Sequence, residues 1–187
     1  MDRRILKTKK AIKEAYLKLL REKKDYRKIN VKELVDAADV NRSTFYLHYY
    51  DINVVFEELI DEMFTEISSK IDKSDLTLEE MEKIINQMTA QIEGNSDYAL
   101  IVSAGNEYPY FADAMLKMMT NKISMDSIKN PRLSEEDKQL LLVIIAKTTC
   151  DITSYLIRHY DAEKISKYFA LIREYIFTPS IQKIMAI

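Results

Sequence analysis

Residues 41–49 read Asn-Arg-Ser-Thr-Phe-Tyr-Leu-His-Tyr, a run dense in groups that hydrogen-bond to polyanions and to the edges of bases. It offers a guanidinium, aliphatic hydroxyls, phenols and an imidazole in one short stretch. Coiled as a helix, at about 100° per residue, the run places Phe45 and Tyr49 on one face that must pack inward. Ser43, Thr44, Leu47 and His48 then point broadly outward, with Arg42 and Tyr46 at the flanks. A helix of about eight residues is about 12 Å long, which is about the width of the DNA major groove. Leu47 has no evident structural reason to face outward, and it suits a thymine methyl, the apolar feature of that groove. The competing reading is an ordinary solvated helix. Such helices usually mix Glu with Lys, and this face has neither.

The elements around the run fit that use. Asn30 and Glu33 have the spacing of an N-cap and its N3 partner, which predicts a second helix from there to about residue 38. Asp39-Val40 makes a turn, and Asn41 caps the third helix. Upstream, Ile5, Ala11/Ile12, Ala15/Tyr16 and Leu19/Leu20 recur at helical spacing and predict a first helix over about 4–22. Asp51 caps a fourth, expected to reach about residue 71. Two helices joined by a short turn form a known DNA-reading geometry.

Charge supports the same end of the chain. Residues 1–50 hold 14 Lys/Arg against 7 Asp/Glu, a net of +7, while residues 51–187 hold 14 against 23, a net of −9. A positive head on a negative body suits a polyanionic partner. With 2 glycines and 3 prolines in 187 residues, turns are scarce, so long helices with short loops are expected. The single cysteine cannot form an internal disulfide and suits a reducing cytoplasm. No signal peptide is expected behind Met1-Asp2-Arg3-Arg4. The longest apolar run, 140–146, falls short of the roughly 20 residues that span a bilayer, so no membrane partner is expected.

Residues 41–49 also resemble the recognition-helix signature of TetR-type transcription regulators, a Ser/Asn–Arg–x–Thr–Phe–Tyr–x–His–Phe pattern. Ile29-Asn-Val-Lys-Glu-Leu34 and Ala37-Ala38 resemble that family's second helix, and the likeness covers about residues 4–60. It implies a homodimer with two heads on one palindromic operator and a helical body that dimerises and holds a small-molecule effector. Lys32, Arg42, Ser43, Thr44, Tyr46 and His48 match family DNA-contact positions, with the Tyr46 hydroxyl on a phosphate and His48 near the backbone. Asn41 and Leu47 belong to the same reading stretch. Arg3, Arg4 and Lys7 would add phosphate contacts, as would amides near Val31. The chain departs from the pattern at three places. Asp39 stands where a turn glycine is usual, and Tyr50 and Ile52 stand where lysines are frequent. Tyr50 can still donate one hydrogen bond, without charge.

The body predicts further helices starting near Thr77, Ser96, Tyr110, Ser134 and Asp161, with Pro179 opening a tail. The last two of these carry a candidate dimer face: Ile144 and Thr148, then Ile165, Tyr168, Phe169, Ile172 and Ile176. The same stripe could instead pack only within its own chain. Tyr98, Tyr108, Phe111, Met115, Met118, Met119 and Tyr155 form a candidate effector pocket, since Met and Tyr line adaptable cavities. Each is equally a candidate core residue. The stretch 96–123 resembles the C-terminal half of a TetR subgroup related to regulators of dihydroxyacetone metabolism, which names no effector.

No catalytic group, metal site or cofactor is expected. Cys150 and His159 lie nine apart on one predicted helix, on opposite faces, so they cannot pair as nucleophile and base. The expected architecture is all-α, about nine helices, TetR-like. It comprises a DNA-binding head at 1–50, a connecting helix at 51–71 and a body at 72–187. The expected function is a cytoplasmic repressor released by its effector. The rivals are a coregulator of this fold that binds a protein, and a helical small-molecule-binding enzyme.

Overall fold

The structure, a computed structural model, describes residues 3–71, 74–75, 87–88, 90–105, 108–124, 130–160 and 162–185. The scarcity of turn residues is answered by helices: α1 (Arg3–Lys23), α2 (Val31–Ala38), α3 (Arg42–His48), α4 (Ile52–Ser69), α5 (Ser96–Gly105), α6 (Pro109–Lys122), α7 (Glu135–His159), α8 (Ala162–Ile172) and α9 (Thr178–Met185). A 3-10 turn, Tyr26–Lys28, links α1 to α2. Two short strands, β1 (Ser74–Asp75) and β2 (Ile123–Ser124), pair in parallel. The expected helix start at Thr77 and the cap at Asp161 lie outside the described residues, as do the side chains of Met119, Ile165 and Phe169.

The chain divides into two compact units, Met1–Met63 and Phe64–Ile187. The division falls inside α4, whereas the sequence reading set that whole helix between head and body.

The first unit is built on the apolar stripe of α1. Ile12, Ala15, Tyr16, Leu19 and Leu20 are buried with Leu34 and Val35 of α2, Phe45 of α3, and Val55, Phe56, Leu59 and Ile60 of α4. Tyr16 and Tyr26 stack against Phe56, with ring centroids 5.7 and 5.4 Å away. Each buried Val, Leu, Ile or Phe among them stabilises the fold by about 1.5–3 kcal/mol. The boundaries follow from local chemistry. Lys24 turns left-handed, φ 56°, to end α1, and its N–H donates to the Leu20 carbonyl at 2.8 Å. The Asn30 side chain accepts from the Glu33 N–H at 3.0 Å, capping α2 as its spacing predicts. The Asp51 carboxylate accepts from the Asn53 N–H at 2.7 Å, ahead of α4.

The turn between α2 and α3 rests on Asp39, at φ 52° and ψ 47°. That is the left-handed region, where a β-carbon crowds the backbone and glycine escapes the penalty. Asp39→Gly is expected to raise the stability of the first unit by about 0.5–1 kcal/mol, the left-handed penalty of about 1–2 kcal/mol less the entropy that glycine loses. A thermal or urea midpoint at or below that of the parent chain would contradict this.

The second unit has its own core, with Phe64, Ile67 and Ile71 buried alongside Tyr98, Ile101, Val102, Phe111, Ala114, Met115, Met118 and Leu156. The Phe64 and Phe111 rings meet at 5.2 Å. The Tyr98 hydroxyl donates to Glu66, and the Lys122 ammonium donates to the Ile71 carbonyl at 2.6 Å. Gly105 closes α5 because nothing larger fits: a β-carbon there would lie 2.7 Å from the Phe111 ring. Ser134 and Asp137 form a reciprocal capping box at the start of α7.

The C-terminus departs from the expected tail. Pro179 is the second residue of α9, preceded by a π-helical turn, Arg173–Phe177. The helical run is unbroken from 162 to 185, so Pro179 lies inside it and removes one backbone donor. Its ring would clash with the carbonyl four residues back, and the wider π turn relieves that conflict. Reading proline as a terminator therefore missed α9.

Candidate nucleic-acid interface

The third helix is positioned by its inner residues. Phe45 is fully buried and Tyr49 is 1% exposed. Their rings lie 5.7 Å apart. Tyr49 follows the last helical residue in extended backbone, and its N–H donates to the Phe45 carbonyl at 2.9 Å. The polar and apolar periodicity of 41–49 thus does what it predicts. The capping prediction holds only for position: Asn41 occupies the N-cap, but its side chain makes no capping hydrogen bond.

Burial rotates the outward face relative to expectation. Arg42, Ser43, Tyr46, Leu47 and Tyr50 are exposed, while Thr44 and His48 are half-buried. At about 100° per residue, Thr44 and His48 sit on the shoulder beside Phe45, so the core shields part of each. Arg42 and Tyr46, expected at the flanks, instead belong to the open arc. Leu47 and Tyr50 are each 81% exposed, an apolar and an aromatic surface held in water. The Arg42 guanidinium lies 5.7 Å from the Tyr46 ring centroid and reaches its hydroxyl at 3.5 Å. Each therefore limits the other's rotamers before any ligand arrives.

The remaining predicted residues of the head lie at its surface. Arg3, Arg4 and Lys7 are exposed on the first turns of α1, and Lys32 is exposed on the first turn of α2. Val31, the first residue of α2, is half-buried, and Ile52, at the start of α4, is half-buried too. Chemically the set offers cations for phosphates, hydrogen-bond donors for base edges and one aliphatic tip.

Sequence reading missed a group behind this surface. Lys9 of α1 pairs with Glu58 of α4 at 3.0 Å. Lys13, one turn further on, pairs with Glu58 at 3.5 Å and with Glu62. Two lysines four apart on α1 and two glutamates four apart on α4 are complementary ladders, and that spacing was the available signal. The Lys9 ammonium also stands 4.9 Å from the Tyr49 ring centroid. Burial pushes the Tyr49 hydroxyl far above its ordinary range, and the Glu58 carboxylate beside it adds to the shift. Burial would raise the Glu58 carboxyl, but Lys9, the Tyr49 hydroxyl and the Lys13 charge outweigh it and hold the group below its usual range.

In the second unit the expected pocket set separates. Tyr98, Phe111, Met115 and Met118 are core side chains, and Tyr108 is half-buried in the turn before α6. Tyr155 is 54% exposed and lines a cleft of about 450 Å³ with Asp151, Ile152, Leu156, Tyr160, Tyr168, Leu171 and Ile172. Tyr168 and Ile172, expected at a dimer face, are thus cleft residues. Ile144 is half exposed, Thr148 is half-buried and Ile176 is 48% exposed.

No family model matches the chain. An uncharacterized HTH-type transcriptional regulator, YxbF, of Bacillus subtilis (strain 168) is 29% identical over 89 residues. That match takes in 46% of this chain but only 23% of the relative. The crystal structure of a TetR transcriptional regulator from Streptococcus agalactiae 2603V superposes with a TM-score of 0.65 at 26% identity, covering 92% of this chain and 96% of that one. Among the described residues no helix is long and apolar enough to cross a membrane. The helix-turn-helix with its buried Phe45 and its exposed Arg42 and Tyr46 thus belongs to a chain that resembles a TetR transcriptional regulator in fold over nearly its whole length and an HTH-type transcriptional regulator in sequence over about half of it.

Proposed function

We propose that the chain binds a palindromic operator as a homodimer, represses from it in the cytoplasm, and is released by a small-molecule effector. The observation that carries the DNA-reading part is the open arc of α3, with Arg42, Ser43, Tyr46 and Leu47 exposed opposite a buried Phe45. In this reading Arg42 and Ser43 reach base edges, Leu47 meets a thymine methyl, and Tyr46 with Lys32, Arg3, Arg4 and Lys7 holds phosphates. Asn41, Thr44, His48, Val31 and Tyr50 border the contact.

Dimerisation is supported by apolar side chains left in water. On α7, Leu140, Val143, Ile144 and Tyr155 are exposed at helical spacing, and Leu171 and Ile176 are exposed in the segment that follows. A single chain gains nothing from that arrangement, and a second copy would cover it. A homodimer places two recognition helices on half-sites one helical turn, about 34–36 Å, apart. The effector is assigned to the second unit, where the cleft at Tyr155 is of ligand size. In the mechanism proposed, effector binding shifts α4 and spoils that half-site spacing.

A mobility-shift assay with the promoter of the chain's own operon, at low salt, tests the reading. A retarded band that unlabelled promoter competes away is expected. No shift at low salt would favour the coregulator that binds a protein instead. Position 50 gives a second prediction. Tyr50 makes no core contribution, so Tyr50→Lys should bind tighter and steepen the log–log salt dependence by roughly 0.9. An unchanged slope would remove residue 50 from the phosphate contacts.

A further inference from the structure

The head carries more positive charge than it presents. Arg3, Arg4, Lys7, Lys32 and Arg42 are exposed. Lys9 and Lys13 are not among them: their side chains are 25% and 17% exposed and are engaged by carboxylates of α4. Lys9 donates to both Glu58 oxygens, at 3.0 and 3.3 Å. Lys13 donates to Glu58 and Glu62. A lysine held in this way does not displace counterions from DNA. It does hold something else, because the Lys9 ammonium stands 4.9 Å from the Tyr49 ring centroid.

Tyr49 is where the recognition helix ends. Its ring packs 5.7 Å from Phe45, and its backbone N–H closes the last turn of α3. The ring therefore fixes both the depth and the rotation of α3 about its own axis, and so the direction in which Arg42 and Tyr46 point. A cation over a partly desolvated aromatic face is worth roughly 1–2 kcal/mol, but only while the cation stays in place. Glu58 keeps it there.

We propose that Glu58 is a positioning residue for DNA reading: with Glu62 it withdraws Lys9 and Lys13 from phosphate contact and makes Lys9 clamp the Tyr49 end of the recognition helix. Selectivity is then gained at the expense of general affinity. The same lysines, set loose, would grip any duplex while leaving α3 less well aimed. This rests on the reading of α3 as the DNA-contacting helix.

The test uses the full chain, the tightest duplex recovered from a random-sequence pool by the parent protein, and poly(dI-dC) as unrelated DNA. Binding is followed by fluorescence anisotropy across a salt series. Glu58→Gln is expected to weaken the selected duplex about tenfold. It should bind poly(dI-dC) as well as the parent or better, with a log–log salt slope steeper by roughly 0.9 for each lysine released. A merely structural role predicts otherwise: both DNAs weaken together and the slope stays put, which would overturn the proposal. Equal binding of both DNAs by parent and variant would overturn it too. Should Glu58→Gln fold poorly, Glu62→Gln serves, because Glu62 is 54% exposed and its loss removes one of the two carboxylates that hold Lys13, loosening that lysine while the Lys9–Glu58 pair stays intact. Its slope on poly(dI-dC) should steepen, and an unchanged slope would again sink the idea. If the pool yields no preferred duplex, the reading of α3 fails. The slopes on poly(dI-dC) still decide whether the lysines are withheld.

Discussion

Arg42→Ala should lower operator affinity ten- to hundred-fold and leave the melting temperature where it is. The size follows from what one well-placed arginine gives at a base edge, about 1–3 kcal/mol of discrimination. The unchanged stability follows from the environment of the side chain. Arg42 is exposed, and its described interactions are with the exposed Tyr46, through the ring at 5.7 Å and the hydroxyl at 3.5 Å. Surface changes of that kind stay within about 0.5 kcal/mol. Tyr46→Phe separates the two parts of the pair: it keeps the ring that steadies Arg42 and removes only the hydroxyl. A smaller loss is expected, uniform across sequences, because a phosphate contact carries no base information. Anisotropy titrations on operator and unrelated duplex, beside thermal melts, check all of this. Full operator binding by Arg42→Ala would remove α3 as the reader.

Phe45→Ala is expected to do the opposite, destroying binding through the fold. Phe45 is fully buried and contacts the Tyr46 and Tyr49 rings at 5.2 and 5.7 Å. Removing a buried phenyl costs about 3–5 kcal/mol through lost transfer energy and the cavity left behind. The first compact unit ends at Met63, and units that small carry little surplus stability. The loss should therefore melt much of the head at temperatures the parent survives. Urea denaturation followed by circular dichroism would show a midpoint shifted well down, with DNA binding lost in step. If the variant melted like the parent yet failed to bind DNA, Phe45 would belong to the reading surface after all. The two substitutions, three residues apart, then mark the two sides of one short helix.

Much of the first unit could be read from its sequence, because its signals are local. The Asn30–Glu33 spacing names a helix start, the α1 stripe names a core face, and the alternation within 41–49 names which side of α3 is buried. What escaped was whatever depends on other elements. Thr44 and His48 are half-buried because the core reaches round the shoulder of α3 that carries them and not the one that carries Arg42, a choice a helical wheel does not make. Glu58 lies 49 residues from Lys9 and 45 from Lys13 in sequence, so only the packing of α1 on α4 reveals their purpose. In the second unit, Tyr and Met suit a core and a pocket equally well. Burial, which decides between them, is fixed by neighbours distant in the chain. It put Phe111, Met115 and Met118 in the core and left Tyr155 at a cleft.

The π turn at Arg173–Phe177 bears on how this chain should be aligned and redesigned. A π turn holds one residue more than an α turn, so it slips the angular count of everything after it. The apolar series 165, 168/169, 172 continues to 176 only on paper, and Ile176 stands 48% exposed within the π turn itself. An alignment to a relative with an uninterrupted helix here needs a one-residue gap inside 173–177. Without it, every residue of α9 is compared with the wrong face of its counterpart.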